Sequence, residues 1–393
     1  MNTKTVVIVA AKRTPLGSFQ GQFSSLSASD LGAAAISSAV DAAGIKPEQV
    51  ETVHFGCVLP AGQGQAPARQ ASLKGGLPLS TPCNTVNKMC GSGMQAVIYA
   101  YNQILAADAS CVVAGGMESM SQAPYLLTKA RDGYKMGHST TLDHMFYDGL
   151  RDVKHGDLMG CFAEMGAEKF GFNREQQDDY AISSLTRAKN AIHTGAFNDE
   201  ITAVTVTSRK GEQVFSEDEQ PSKAVLDKIR SLKPAFKKDG SVTAANASSI
   251  SDGAAALVLM DADEAARQGL KPLAKITAQA VFADDPDWFS SAPVYAIQKL
   301  LKKCDWQVSD VDLFEINEAF AVVTMIAIQQ LGLDPEKVNV NGGACALGHP
   351  IGSSGARILV TLLHALKARK LTKGVATLCI GGGEATAMAI EII

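Results

Sequence analysis

A cysteine framed by glycines is the first residue that invites chemistry. Cys90 lies in Asn87-Lys88-Met89-Cys90-Gly91-Ser92-Gly93, just before a segment in which Met94, Val97, Ile98, Tyr101, Ile104 and Leu105 share one helical face. At a helix start a thiol feels the positive end of the backbone dipole, which favours thiolate, the form that attacks carbonyls. The glycines let a substrate approach the backbone closely. Most free cysteines are inert core residues; this turn favours the reactive reading, and with it fast alkylation by iodoacetamide. The same turn fits the dinucleotide pattern G-x-G-x-x-A through Gly91, Gly93 and Ala96. That pattern needs a strand directly before it, and Cys83 to Met89, with Asn84, Asn87 and Lys88, reads as a poor buried strand.

Three more residues stand in comparable settings. His349 sits in a glycine-dense stretch, Asn341 to Gly352, and is followed by Pro350, a residue suited to a helix start. A histidine there can serve as a general base near neutral pH, although a lone histidine is more often a satisfied turn residue. Cys379 ends an apolar run and precedes Ile380-Gly381-Gly382-Gly383. Glycines at a strand end offer free backbone N–H groups, a cradle for an oxyanion; the plainer reading is a core cysteine at a bend. Asn317 follows the apolar Leu313–Ile316 and precedes Glu318-Ala319-Phe320. It is either a turn former or a holder of water or of a ketone oxygen.

The elements that must position these residues alternate. Apolar runs at Thr5–Ala11, Val53–Val58, Ser110–Ala114, Leu257–Met260, Leu313–Ile316, Val375–Ile380 and Ala389–Ile393 are strand candidates, with helical periodicity between them, the pattern of an α/β sandwich. The chain also repeats itself. Ala43 to Phe55 and Cys304 to Glu315 both leave an amphipathic helix through a polar turn into a strand, and the Cys90 and His349 turns each open a helix leading to a glycine-ended strand. Two similar halves explain this. Between them, from about Ser121 to Ala247, the composition turns charged, as in a long functional insertion.

Composition excludes several classes. A chain of 393 residues with a net charge of −4 has no electrostatic footprint for nucleic acid. Eight scattered cysteines without C-x-x-C spacing indicate neither a zinc ribbon nor a redox motif, and their spread with no signal peptide suggests reduced thiols in a cytoplasmic protein. No apolar run is long enough to cross a bilayer.

The motifs around Cys90, Asn317, His349 and Cys379, in this order, resemble the thiolases. Arg13-Thr14-Pro15, Pro67-Ala68-Arg69-Gln70, Ala114 to Ser121, Thr243 to Ser248 and Ser251 to Ala255 agree, so the resemblance covers essentially the whole chain. It implies two pseudo-symmetric βαβαβαββ halves in a five-layered αβαβα sandwich. The expected division is 1–120 plus 248–270 for the first half, 121–247 for an inserted loop domain, and 271–393 for the second half.

By the same resemblance, Cys90 would be the acylated nucleophile, His349 would take its proton, and Cys379 would exchange protons with the α-carbon of acetyl-CoA. Asn317 would hold a water that forms one oxyanion hole with His349; the backbone N–H groups of Cys90 and Gly381 would form the other. Ser248 would touch the pantetheine arm of coenzyme A. Met159, Phe236, Ala319 and Phe320 would border the acyl group, with the bulk of Met159, Phe236 and Phe320 limiting it to short chains. These features imply acetyl-CoA acetyltransferase chemistry. The substrates are acetyl-CoA, acetoacetyl-CoA and CoA; no metal or other cofactor is required. The segment Thr128 to Asp152 resembles the family's tetramerisation loop and implies a homotetramer.

Claisen chemistry accounts for these residue types. It needs a covalent carrier, a separate base, and donors fixed in advance around a developing enolate. There are departures. Leu158 stands where many short-chain members have His, Ser249 where Gly is common, and Glu384-Ala385 where a small or apolar residue is usual. A carboxylate aimed at Cys379 would raise that thiol's pKa; solvent is the expected direction for Glu384. Segment Asp284 to Pro293 is expected to line the acyl pocket. The rival readings are a broader-chain 3-ketoacyl-CoA thiolase, a ketoacyl synthase, which lacks a second cysteine before three glycines, and a catalytically silent acyl-CoA-binding protein.

Overall fold

A computed structural model describes residues 4–209 and 211–393. The first half runs β1 (Val6–Arg13), α1 (Ala28–Ala43), β2 (Thr52–Gly56), α2 (Pro67–Lys74), β3 (Cys83–Val86), α3 (Ser92–Leu105) and β4 (Cys111–Ser119). A long excursion follows, containing α4 (Met159–Phe170) and α5 (Arg174–His193), before β5 (Ser251–Asp261) returns to the sheet. The second half is β6 (Ala274–Ala283), α6 (Ala292–Cys304), β7 (Leu313–Ile316), α7 (Ala321–Leu331), α8 (Ser354–Arg369), β8 (Lys373–Ile380) and β9 (Glu384–Ile392).

The two halves have one topology. The first orders its strands β3-β2-β4-β5-β1 and the second β7-β8-β9-β6. The counterpart of β3 in the second half shrinks to a single parallel bridge between Phe314 and Val338. The halves join edge to edge where Val7 and Ile8 meet Lys275 and Ala274. About this seam the sheet folds over the central helices α3 and α8. Their apolar faces, with Met94, Val97, Ile98, Ile358, Leu359 and Leu362, pack against both half-sheets in one buried cluster. Helix α1 covers the outer face of the first half-sheet, and α6 and α7 cover that of the second. The layers therefore run αβαβα.

The internal repeat read from sequence corresponds to matched elements. Helix α1 ends on Gly44 and α6 on Asp305, both left-handed, and each passes through a 3-10 turn into the next strand. The strand runs predicted from apolar stretches are present, most of them longer than the runs themselves. Two of the nine strands named above carry no such signal. Residues Ala274–Ala283 alternate buried and half-buried positions rather than forming a continuous apolar run. Cys83–Val86, which reads as a poor strand, is one: it is an edge strand with Asn84 and Thr85 exposed, so burial leaves no apolar signature.

The excursion is anchored by buried charge. Arg13 at the end of β1 meets Glu200 at 2.5 Å and Asp218 at 2.7 Å, all three fully enclosed. Paired in this way, charges are tolerated in an interior that would otherwise neutralise them. The contact ties the excursion to the first half.

Candidate active site

Both central helices start at the same place. Gly93 and Gly355 stand in their first turns, where a Cβ on Gly93 would lie 2.8 Å from the Ala356 nitrogen and one on Gly355 would lie 2.4 Å from the Met94 nitrogen. Only glycine permits this approach, and it brings the turn before α3 against the turn before α8. The first carries Cys90 and the second His349. The Cys90 turn is stiff. Met89 adopts a left-handed conformation (φ 47°), unusual for a side chain of its size. The Lys88 N–H donates to Ser92 Oγ at 2.8 Å, and that hydroxyl donates to the Met89 carbonyl at 2.6 Å.

The third contributor is the end of β8. Cys379 is buried in the strand, and the backbone N–H of Gly381 just beyond it points at the Cys90 sulfur, as does the N–H of Cys90 itself. Two donors thus converge beside the thiol, the arrangement of an oxyanion hole.

His349 is oriented by its surroundings. Its Nδ1 lies 2.6 Å from Ser354 Oγ, whose hydroxyl donates to the Pro350 carbonyl at 3.0 Å. A hydroxyl that donates elsewhere accepts from the ring, which puts the imidazole proton on Nδ1. Nε2 is then the free base, and it is buried with no partner within the protein. Asn317 sits behind the ring: its Nδ2, itself a donor, faces the protonated His349 Nδ1 at 3.5 Å without a hydrogen bond, and its Oδ1 is 3.5 Å from an Arg357 Nη atom, at the outer limit of hydrogen bonding.

The electrostatics differ from the sequence expectation at one point. Burial pushes the Cys90 thiol up to about 11, against the lowering effect of the Gly381 and Cys90 N–H groups. Desolvation thus works against the thiolate that the helix start favours, while the two N–H groups work for it. Burial, helped by the charge of Arg357, lowers His349 to about 3, so the imidazole is neutral and able to accept a proton. Cys379 is held well above the ordinary thiol range, first by burial and then by Cys90. Alkylation of Cys90 by iodoacetamide should accordingly climb about tenfold per pH unit between pH 7 and 9, as the thiolate fraction does below the pKa. A rate already flat at pH 7, followed by peptide mass spectrometry, would show instead a standing thiolate.

These groups open onto a cavity of about 380 Å³. Its lining includes Cys90, His349, Cys379 and Gly381, together with Ser248, Met159, Phe236, Ala319 and Phe320. Phe320 stands edge-on to Phe236 at 6.0 Å and to Phe289 at 6.1 Å, forming an aromatic wall. The Ser248 N–H donates to the Ala319 carbonyl at 3.0 Å, zipping the loop that carries Ser248 onto the start of α7.

Similarity to known proteins agrees with this site. The family model for the thiolase N-terminal domain matches residues 6–263, and that for the C-terminal domain matches residues 270–392. The chain belongs to the thiolase family. A curated acetyl-CoA acetyltransferase of Escherichia coli (strain K12) is 52% identical over 391 residues, covering 99% of both chains. One of Cupriavidus necator is 51% identical over 388 residues, covering 98% of this chain and 99% of its own. The crystal structure of the Bacillus anthracis acetyl-CoA acetyltransferase superposes with a TM-score of 0.97 at 43% identity, covering 100% of this chain and 99% of that one.

As a thiolase-family acyltransferase, the chain brings the residues singled out from sequence into one place, with one difference: Asn317 lies behind His349 and does not line the cavity. Leu158 does line it. Ser249 supports the site through its backbone, its carbonyl accepting the His349 N–H at 3.1 Å. Glu384 corrects an expectation: it does not simply face solvent but pairs with Lys88, while taking no part in the cavity wall. Sequence reasoning misses Ser354 and Arg357. Ser354 lies five residues after His349, in the first turn of the helix that His349 precedes, a spacing that could have drawn notice. Arg357 is fully buried beside Glu315 and carries no sequence signal of its own.

Proposed function

We propose that this chain is an acetyl-CoA acetyltransferase that condenses two acetyl-CoA to acetoacetyl-CoA and CoA, and runs thiolysis in reverse. The observation that carries the reading is one cavity holding two thiols, a neutral imidazole with a free Nε2, and two backbone donors aimed at one sulfur.

The steps balance as follows. His349 Nε2 takes the proton of Cys90, and the thiolate attacks the acetyl-CoA carbonyl. The tetrahedral oxyanion faces the N–H groups of Cys90 and Gly381. The CoA thiolate leaves with the proton of Cys379, so the acyl-enzyme carries a His349 imidazolium and a Cys379 thiolate. A second acetyl-CoA gives its α-proton to Cys379. The enolate oxygen is stabilised by the His349 imidazolium, and the α-carbon attacks the acetyl-Cys90 carbonyl. Cys90 leaves, takes its proton back from His349, and acetoacetyl-CoA is released. A thiol that holds its proton tightly is, once ionised, a stronger base, which suits Cys379 to a weakly acidic carbon acid.

Segment 121–247 serves as the inserted unit that, with Ser248, receives the coenzyme arm. The working form is a cytoplasmic homotetramer; Tyr125, Leu127, Tyr134, Met136 and Val153 of this segment are exposed apolar side chains of the kind a subunit contact uses.

Thiolysis of acetoacetyl-CoA compared with a medium-chain 3-ketoacyl-CoA tests the substrate class. Acetoacetyl-CoA is expected to be strongly preferred, because the bulk of Met159 and of the Phe236–Phe289–Phe320 wall would limit the acyl group. Phe236→Ala should narrow the preference by about tenfold or more, the usual weight of a few methylenes in an apolar pocket. Equal turnover of both substrates by the parent protein would make this a broad-chain thiolase.

A further inference from the structure

We propose that the Lys88–Glu384 ion pair is a positioning latch that holds the triple-glycine turn against the nucleophile turn, keeping the Gly381 N–H aimed at the reacting carbonyl; this rests on the reading of Cys90 and Gly381 above. Lys88 lies two residues before Cys90, and Glu384 follows Gly383 at the start of β9. Across the hairpin Glu384 faces Ile380, so the pair acts on both ends of the glycine turn.

The turn needs such a hold. Gly382 and Gly383 have φ of 98° and 84°, and no side chain within the turn restrains it. Residues of this kind lose the most backbone freedom on ordering. Apart from the latch, the ladder pairing of Ile380 with Glu384 closes the hairpin and the Asp284 N–H donates to the Gly383 carbonyl at 2.9 Å, but neither ties the turn to the Cys90 turn. The near end, where Gly381 lies, abuts Gly91 through Ile380: a Cβ on Gly91 would come within 2.4 Å of Ile380 Cδ1. That contact sets how closely the turns approach but not how they are aligned. Lys88 is a firm anchor because its own N–H is bound to Ser92 Oγ. Among the described residues, the Lys88–Glu384 pair is the one ion pair joining these two turns.

Its chemistry is asymmetric. Both side chains are partly exposed, at 21% and 34%, and exposed pairs add little to global stability. Small misplacements of a donor near a reacting atom matter far more. Removing Lys88 also leaves an unpaired carboxylate beside a site where negative charge develops, whereas removing the charge of Glu384 leaves only a cation. Lys88→Ala should therefore harm catalysis more than Glu384→Gln.

The test uses the full-length protein as parent, K88A, E384Q, K88E and the charge-exchanged K88E/E384K. In acetoacetyl-CoA thiolysis, K88A is expected to lower kcat about tenfold or more, with E384Q less affected and KM changed less than about twofold. The melting temperature should stay near that of the parent. The exchanged pair should recover most of what K88E loses. Cys90 alkylation at fixed pH should slow in K88A and recover in the exchanged pair, a readout that does not depend on thiolysis. Parental kcat and alkylation in K88A, or an exchanged pair no better than K88E, would overturn the latch. A parent inactive in thiolysis whose alkylation still follows the pair would sink the proposed reaction and leave the latch standing.

Discussion

Cys90→Ser is expected to fold like the parent and to lose thiolysis of acetoacetyl-CoA by on the order of 10⁴-fold or more, the scale at which removal of a covalent nucleophile is felt. The oxygen is smaller than the sulfur and fits where it stood, so the turn held by Ser92, Met89 and Lys88 has no reason to change. What changes is chemistry. A hydroxyl is far less acidic than a thiol, and a neutral His349 with a pKa lowered to about 3 is a weak base for it. An oxyester also surrenders its acyl group to an enolate less readily than a thioester does. The check is steady-state thiolysis beside circular dichroism. A Cys90→Ser protein with folded spectra and more than about a hundredth of the parental rate would mean that another group carries the acyl chain.

Cys379→Ser is expected to separate the two halves of the reaction. Carbon–carbon bond formation should fall by about 10³-fold or more, the cost of a missing acid/base that acts directly on substrate. Acetylation of Cys90 by acetyl-CoA should persist at a reduced rate, because the imidazolium of His349 can return a proton to the departing CoA. Acetyl-enzyme should therefore accumulate in this variant. Exchange of the α-protons of acetyl-CoA with deuterated water, followed by NMR, should stop in parallel. If exchange continues at the parental rate, Cys379 is not the base.

The proposed division of labour between two thiols fits the difference in their surroundings. Cys90 has donors from two N–H groups, which favour its anion; Cys379 lies buried in its strand beside the first thiol, which disfavours its own. Burial raises both thiols from the ordinary range. In the proposed cycle the imidazole acts first, and burial lowers its pKa to about 3. Loss of activity on mild acidification would accordingly have to come from groups other than His349.

Much of this site is legible in the amino-acid sequence, and the reasons are local. Cys90 and His349 announce themselves through glycines that the close approach of two helix starts requires, as at Gly93 and Gly355. Cys379 is marked by the glycines that follow it. The repeat is visible because α1 and α6 leave through the same kind of polar turn. What escapes depends on long-range contact. The edge strand Cys83–Val86 carries no apolar pattern because it buries little, and Arg357 and Glu315 look like ordinary charged residues until both are found enclosed. The acidity of Cys90 is not legible, because a sequence shows the helix start but not the burial that opposes it. Glu384 reads as a surface carboxylate, since its partner Lys88 is 296 residues away along the chain.

The most direct test of the account is to mix the protein with acetyl-CoA, quench with acid, and map the acetyl group by peptide mass spectrometry. The account predicts one acetyl group on the peptide containing Cys90, retained in Cys379→Ser and absent in Cys90→Ser. Acetyl on Cys379 or on another residue, or none on the parent protein under conditions where it turns over acetoacetyl-CoA, would contradict it.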